Sequence, residues 1–212
     1  MRITLFDNHD SFTWNLAHDL ERGNATVKVV RDGEWSDEVW LETDALVLSP
    51  GPGLPEEHPQ LMAVTAEAVQ RKMPVLGVCL GMQALALHWG GRLVNLDAPL
   101  HGRRTTMNVD APSDQRGPLA SMWTSLGPCM EVGHYHSWVV AEDSLPKEVH
   151  VNARNSQGLP MAFCHETLPV AGVQFHPESV LTPLGRQLLQ GWCEAAQRFL
   201  AISASNVSLN CS

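Results

Sequence analysis

Cys79 stands between two glycines, at the point where the sequence changes from a strand pattern to a helix pattern. The apolar run Val75–Val78 is typical of a short buried strand, and apolar residues after the cysteine recur at helical spacing. Gly77 and Gly81 lie two residues before and two residues after the thiol. A sharp strand-to-helix turn needs small residues there because it leaves no room for side chains. The pattern predicts a nucleophile elbow with cysteine as the nucleophile.

The elbow would place the thiol at the start of a helix. The positive end of the helix and its unpaired N–H groups would face the sulfur, which favours a thiolate. The alternative is a structural cysteine buried in a parallel strand, a common location for this residue type. The glycine spacing around Cys79 gives the elbow and the buried structural cysteine equal weight as interpretations.

The segment Gly172–Ser179 contains a second candidate group. An imidazole at His176 is followed two residues later by a carboxylate at Glu178, and Pro177 between them keeps the segment extended. A base and its orienting group can therefore come from one short segment. A hydrogen-bonded histidine at a strand end is the simpler interpretation of this pair alone. Combined with Cys79, the pair completes a Cys-His-Glu triad.

The loop Ser49–Pro55 holds three prolines and two glycines in seven residues. Such a loop is rigid, and its glycines let backbone N–H groups approach another group closely. It follows the predicted strand Ala45–Leu48, which precedes the elbow strand. Loops at the carboxyl ends of neighbouring strands line the site in a doubly wound sheet. A plain turn is the alternative.

The run His134–Ser137 contains a His-x-His pair that suggests metal binding. No third ligand at suitable spacing accompanies it, so a metal site is disfavoured. We interpret His101 as a surface or capping residue.

Composition narrows the class of protein. The 212 residues, 44% hydrophobic and 17% charged, are ordinary for a globular chain able to bury a core. The net charge of −9, with 14 basic against 23 acidic residues and no basic stripe, argues against nucleic acid as a partner. The five cysteines form no Cys-x-x-Cys pair, which indicates a reducing compartment. With no apolar run of membrane-helix length, we expect a cytoplasmic protein without membrane contact.

Strand and helix patterns alternate in the first half of the chain. Strands are predicted at Ile3–Phe6, Thr26–Val30 and Ala45–Leu48, with a helix after the first strand and another at Leu61–Arg71. This order implies a parallel sheet with helices on both faces.

The second half contains short apolar runs without long helices between them, which predicts a smaller mixed or antiparallel extension of the sheet. The runs are Arg92–Leu96, Thr105–Val109, Ser137–Ala141, Val149–Val151, Met161–Cys164 and Val170–Phe175. A helix at Thr182–Leu200 closes the domain. We predict one α/β domain over residues 1–200 and a short polar C-terminal tail over residues 201–212.

Several motifs, in this order, resemble the signatures of class I glutamine amidotransferases: Pro50–Gly53, Gly77–Gln83, Tyr135–Ser137 and Gly172–Ser179. The opening Asp7–Asn15 and the pair His101–Gly102 narrow the resemblance to the branch that feeds ammonia to chorismate-using synthases. That branch comprises the small subunits of anthranilate synthase and aminodeoxychorismate synthase. The resemblance spans about residues 2–200 and implies a flavodoxin-like, single-domain fold.

Two details favour the anthranilate subunit, which serves tryptophan synthesis, over the aminodeoxychorismate subunit, which serves folate synthesis. Gly53 stands where many aminodeoxychorismate subunits have cysteine, and the run Ser179–Pro183 follows the triad. One small subunit can serve both synthases in this family. The chain also departs from the family pattern. Met82 replaces the usual histidine, which predicts altered substrate affinity or coupling to the partner, and His134 replaces a common arginine, which predicts a weakened salt bridge.

The resemblance assigns roles to individual residues. Cys79 attacks the side-chain amide of L-glutamine, His176 moves the proton, and Glu178 orients the imidazole. The residues expected to bind substrate, with backbone N–H groups of Gly53 and Leu80 meeting the oxyanion, are Gly51, Pro52, Gly53, Leu80, Gln83, Ser137 and Trp138.

The same resemblance implies a partner, the large subunit of a chorismate-using synthase, such as anthranilate synthase component I. No cofactor is expected in this subunit, although the partner would use magnesium. Two other functions stay open at this stage: a stand-alone hydrolase of γ-glutamyl compounds with the same triad, and a catalytically silent regulatory subunit suggested by Met82 and His134.

Overall fold

The computed structural model of the chain describes residues 1–23, 25–110 and 116–209. Its strands are β1 (Arg2–Asp7), β2 (Thr26–Arg31), β3 (Ala45–Leu48), β4 (Val75–Val78), β5 (Leu93–Val109), β6 (Cys129–Val140), β7 (Val149–Asn155), β8 (Pro160–His165) and β9 (Val170–Val173). Its α-helices are α1 (Thr13–Glu21), α2 (Asp37–Leu41), α3 (Pro59–Gln70), α4 (Leu80–His88) and α5 (Gly185–Leu209). Short 3₁₀ turns occupy Pro55–Glu57, Ala120–Trp123 and Glu142–Ser144.

All these strands belong to one sheet in the order β2-β1-β3-β4-β9-β8-β7-β5-β6. The part from β2 to β9 is parallel, and every pair from β9 to β6 is antiparallel. The predicted α/β class, with a parallel sheet and an antiparallel extension, is confirmed. Because β4 lies beside β9, the elbow and the segment containing His176 leave the sheet at the same edge.

The antiparallel part is more continuous than predicted. The runs Arg92–Leu96 and Thr105–Val109 belong to one strand, β5, and are not two separate strands. Its pairing with β6 shifts register between Asn95 and Leu100 and again between His101 and Arg103. A bulge interrupts the alternation of apolar and polar residues, which explains why the sequence pattern shows two strands.

Helices cover both faces of the parallel part, as predicted. Side chains alternate along each strand, so that in β3 Ala45 and Val47 face one core while Leu46 and Leu48 face the other. The first core lies under α1 and α5, and the second lies under α3 and α4. Apolar burial on both faces stabilises the short strands that carry the candidate site.

The last helix differs from the prediction of Thr182–Leu200 at both ends. It begins at Gly185, and Thr182 lies in the preceding loop, where its hydroxyl donates to the carbonyl of His176 at 2.6 Å. It ends at Leu209, so residues 201–209 of the expected tail are helical. Residues 210–212 of that tail lie outside the described residues. Within the described ranges, no helix is long and apolar enough to cross a membrane.

The predicted strand-to-helix turn is present between β4 and α4. Cys79 has φ +51° and ψ −102°, a conformation that L-residues rarely adopt. A Cβ on Gly77 would lie 2.5 Å from the Gly81 carbonyl oxygen, and a Cβ on Gly81 would lie 2.4 Å from the Leu48 carbonyl oxygen. Both distances are shorter than atoms tolerate, so each position requires glycine.

We therefore expect Gly81→Ala to destabilise the fold by about 1–3 kcal/mol or more, because the new methyl group meets backbone that cannot withdraw. Urea unfolding followed by circular dichroism measures the change. Gly127→Ala is the matched control, since its Cβ would find its nearest neighbour at 3.8 Å. Equal unfolding free energies for the two variants would contradict the close packing of the elbow.

Candidate active site

Cys79 is held at the junction of β4, β9 and α4. Its backbone N–H donates to the carbonyl of Val173 on β9 at 2.8 Å. Helix α4 begins at the next residue, so Cys79 occupies the N-cap position, beside first-turn N–H groups that lack intrahelical acceptors. The residue is 5% exposed. The thiol therefore lies at the positive end of the dipole of α4.

His176 follows β9 and is fixed through its backbone and its ring. Its N–H donates to the Gly133 carbonyl at 3.0 Å, and its carbonyl accepts from the Thr182 hydroxyl. Its Nδ1 forms a 2.7 Å hydrogen bond and ion pair with the Glu178 carboxylate, whose side chain is fully buried. The segment is not extended as predicted: Pro177 and Glu178 lie in a turn, closed by a hydrogen bond from the Ser179 N–H to the His176 carbonyl at 3.2 Å. The predicted pair is nevertheless in direct contact.

The electrostatics of His176 link it to Cys79 as well. Burial alone lowers the pKa of His176, but hydrogen bonding and charge interaction with Cys79 and Glu178 outweigh burial and raise that pKa to about 10. Nε2 is buried, and among the described residues the neighbouring Cys79 thiol is the group besides Glu178 that raises this pKa. The arrangement favours a protonated imidazole.

A cavity of about 380 Å³ opens above the thiol. Its size suits an amino acid or another small polar molecule. Cys79 lines it, together with all seven residues predicted to bind substrate: Gly51, Pro52, Gly53, Leu80, Gln83, Ser137 and Trp138. His176 and Glu178 lie behind the thiol and are not part of the lining. The structure thus brings the predicted residues together, and their roles remain predictions.

The proline-glycine loop is tied to the ends of two strands. The Asn8 side chain, after β1, donates to the Ser49 carbonyl at 3.0 Å, and the Asn8 N–H donates to the Ser49 hydroxyl at 2.9 Å. His58 Nε2 lies 2.9 Å from the Pro52 carbonyl oxygen on the other side of the loop. A Cβ on Gly51 would lie 2.7 Å from Leu80 Cδ2. The loop therefore packs directly on the start of α4.

Of the cavity residues without a predicted role in substrate binding, three lie on β5 and β6: Tyr135, His101 and His136. Tyr135 lies on the cavity wall with its ring 4.9 Å from the His176 ring, and its hydroxyl lies 3.1 Å from the Ser179 hydroxyl. His101, interpreted above as a surface residue, lines the cavity and lies 3.4 Å from the Ser137 hydroxyl. His136 completes the set. Their position in β5 and β6 follows from strand pairing, which the sequence pattern did not reveal.

His134 and His136 form a buried pair beside the cavity. His134 Nδ1 lies 3.1 Å from His136 Nε2, and His134 Nε2 lies 2.7 Å from the Thr105 hydroxyl. Burial, together with the neighbouring imidazoles, lowers the pKa of His134 to about 4 and that of His136 to about 3. No acidic group among the described residues pairs with His134, and the predicted weakening of a salt bridge stays a prediction.

Met82 lies away from the cavity. Its side chain is fully buried in the core of α3 and α4, and a Cβ on Gly172 of β9 would lie 2.8 Å from Met82 Cγ. Met82 is not among the cavity-lining residues, so it acts on substrate at most through packing. Within the described ranges, no group of three or more histidine, cysteine or acidic residues is arranged to hold a metal ion.

Comparison with known proteins identifies relatives along most of the chain. Residues 4–195 match the family described as Glutamine amidotransferase class-I. The chain is 39% identical over 201 residues to aminodeoxychorismate synthase of Streptomyces griseus, covering 93% of this chain but only 26% of that protein. It is 34% identical over 201 residues to aminodeoxychorismate/anthranilate synthase component 2 of Bacillus subtilis, covering 92% and 97% of the two chains.

The fold also has a solved counterpart. The crystal structure of a glutamine amidotransferase from Thermotoga maritima superimposes with a TM-score of 0.72 at 15% identity, covering 94% of this chain and 97% of that one. At this identity the likeness concerns the fold alone.

The buried histidine pair predicts a sensitivity to acid. Because the pKa of His134 is lower in the folded state than the usual 6.5, the unfolded chain binds the proton first. The contribution of this histidine to stability is complete above pH 6.5 and is lost as the pH falls towards 4. Each such histidine adds a slope of up to about 1.4 kcal/mol per pH unit in this window.

We expect His134→Gln to reduce this slope of unfolding free energy between pH 6.5 and 4.5, whatever its effect at pH 7. The measurement is urea unfolding at several pH values. His18→Gln, at an exposed position, should leave the slope unchanged. An unchanged slope in His134→Gln would show that the pair is not neutral when folded.

Proposed function

This chain belongs to the class I glutamine amidotransferases, and on that basis we propose that it hydrolyses L-glutamine to glutamate and ammonia with Cys79, His176 and Glu178. The observation that carries this proposal is their arrangement. The His176 imidazole is bound to Glu178 at 2.7 Å and interacts with the thiol at the base of the cavity. Nucleophile, base and orienting group are the parts that acyl transfer through a thioester requires.

The first step is attack on the substrate amide. The Cys79 thiolate attacks the side-chain carbonyl carbon of glutamine, while His176 carries the proton. Backbone N–H groups of Gly53 and Leu80, both at the cavity, are suited to bind the developing oxyanion. The loss of one such donor commonly costs an enzyme about 3 kcal/mol in the barrier.

The second step releases ammonia and then glutamate. His176 gives its proton to the leaving nitrogen, and a γ-glutamyl thioester remains on Cys79. Water then attacks the thioester carbonyl and passes a proton to His176, which restores the thiolate and imidazolium as glutamate leaves. Glu178 keeps the imidazole in orientation and stabilises its positive charge throughout. Gln83 and the backbone of Ser137 and Trp138 hold the amino-acid end of the substrate.

The ammonia is then passed to a chorismate-using synthase subunit, for which we propose anthranilate synthase component I. The names of the relatives from Streptomyces griseus and Bacillus subtilis support a synthase of this class. Gly53 favours the anthranilate enzyme within that class. Any other residue at position 53 would need a backbone φ of +73°, and its Cβ would lie 2.1 Å from a Glu57 carboxylate oxygen. No cofactor is assigned to this subunit, and magnesium belongs to the partner's chemistry.

Aminodeoxychorismate synthase is the second candidate partner. It is favoured by the relative that is 39% identical to this chain, although the chain spans about a quarter of that relative's length. A subunit shared by both synthases is compatible with the double name of the Bacillus subtilis relative. We propose a cytoplasmic location, since both reactions use soluble metabolites.

We expect Cys79→Ala to abolish glutamine hydrolysis, because the protein loses its only proposed nucleophile. The assay measures glutamate release by the purified protein together with its synthase partner. Cys129→Ala changes an exposed cysteine remote from the cavity and should keep full activity. Substantial turnover by Cys79→Ala would remove Cys79 as nucleophile.

A mixing experiment identifies the partner. The protein is combined with an anthranilate synthase large subunit, chorismate, magnesium and glutamine without free ammonium, and anthranilate fluorescence is followed. We expect glutamine-dependent anthranilate formation. A parallel reaction with an aminodeoxychorismate synthase large subunit decides between the candidates. Product in the second reaction alone would assign the protein to folate synthesis. Activity on γ-glutamyl peptides in the absence of any second protein would indicate a stand-alone hydrolase.

A further inference from the structure

Gln174 is a fully buried polar residue that the mechanism above does not use. It follows β9, two residues before His176, and its backbone N–H donates to the Met161 carbonyl at 2.8 Å. Its side-chain Nε2 lies 3.7 Å from Cys79 Sγ, a donor distance suited to the large radius of sulfur. Its Oε1 lies 3.3 Å from Gln83 Nε2. One amide therefore joins the thiol to a residue of the cavity wall.

The orientation of the Gln174 and Gln83 amides follows from the second contact of Gln83, with the backbone carbonyl of Trp138. The backbone carbonyl of Trp138 only accepts hydrogen bonds, so Gln83 must present Nε2 to it, at 2.9 Å. The second hydrogen of the same NH₂ group points to Gln174, which must then present its oxygen. Gln174 Nε2 is thus the atom that faces Cys79. An NH₂ group can only donate, so the sulfur must be the acceptor.

This arrangement matters for the charge on the sulfur. A hydrogen bond to an ionised acceptor is stronger than one to a neutral acceptor. A donor aimed at Cys79 therefore stabilises the thiolate more than the thiol. A buried amide is also costly to keep unless its hydrogen bonds are made, and here they are made to the sulfur and to Gln83.

We propose that Gln174 is a further catalytic residue, whose amide donates to the Cys79 sulfur and stabilises the thiolate before glutamine binds. Its carbonyl oxygen also fixes the Gln83 amide, so that the oxygen of Gln83 is left for the substrate. The thiolate is thereby supported by two groups that both follow β9, Gln174 and His176. This inference rests on the proposed role of Cys79 as nucleophile.

The test measures the rate of Cys79 alkylation by iodoacetamide between pH 5 and pH 9. Mass spectrometry of the peptide that contains Cys79 separates it from the exposed Cys129. We expect Gln174→Met, which keeps the length of the side chain but removes its donor, to raise the pH midpoint of alkylation by about one unit. This shift corresponds to a roughly tenfold smaller thiolate fraction at low pH. Gln157→Met, the same change at an exposed position, should leave the midpoint unchanged.

A merely structural role for Gln174 would lower stability without moving the midpoint, and that result would overturn the proposal. If Gln174→Met does not fold, Gln174→Asn gives the same test, because it keeps the amide but withdraws it from the sulfur. In steady-state assays of glutamine hydrolysis, Gln174→Met should lower kcat, whereas Gln83→Met should raise KM.

The two proposals fail in different ways. If wild-type Cys79 reacts no faster than Cys129 at neutral pH, the nucleophile assignment itself fails. If wild-type Cys79 reacts rapidly and Gln174→Met has the same midpoint, only the role of Gln174 is refuted.

Discussion

The close contact of backbone with backbone at the elbow is the constraint on which the site depends. A Cβ atom at Gly81 would overlap the Leu48 carbonyl at the end of β3, and a Cβ atom at Gly77 would overlap the Gly81 carbonyl. Backbone packed this closely restricts any shift of α4 relative to the sheet. The strained backbone of Cys79, worth of order 1–3 kcal/mol, persists because the surrounding packing over-determines it. This packing fixes the Cys79 sulfur, the start of α4 and the proline-glycine loop in position relative to one another.

The antiparallel half of the sheet contributes as much to the site as the parallel half. The parallel half supplies Cys79 and the proline-glycine loop. The antiparallel half supplies Ser137 and Trp138 on the cavity wall, and Gly133 of β6 accepts the hydrogen bond that positions His176. β9 lies at the boundary and pairs with both halves. The cavity is therefore lined by residues from both the parallel and the antiparallel part of the sheet, and these two parts meet at β9.

The sequence predicted those parts of the structure that local steric rules determine. Glycine spacing predicted the turn at Cys79. The spacing of His176 and Glu178 predicted their contact, although the two residues meet across a turn and not along an extended segment. The missing parts depend on long-range pairing. The register of β5 shifts next to His101, so the sequence pattern does not predict the strand that places this residue at the cavity. The contact of Gln174 with the thiol joins residues 95 positions apart. The end of α5 was wrong because small polar residues such as those after Leu200 are also tolerated on the exposed face of a helix.

The position of β9 also determines when the site can exist during synthesis of the chain. β9 inserts between β4 and β8, although it follows all the other strands of this sheet along the chain. Until β9 is made, β4 has one unpaired edge, the N–H of Cys79 lacks its acceptor on Val173, and no imidazole is available beside the thiol. A chain still emerging from the ribosome therefore carries an incomplete elbow. Completion of the sheet and assembly of the candidate site therefore depend on the same strand.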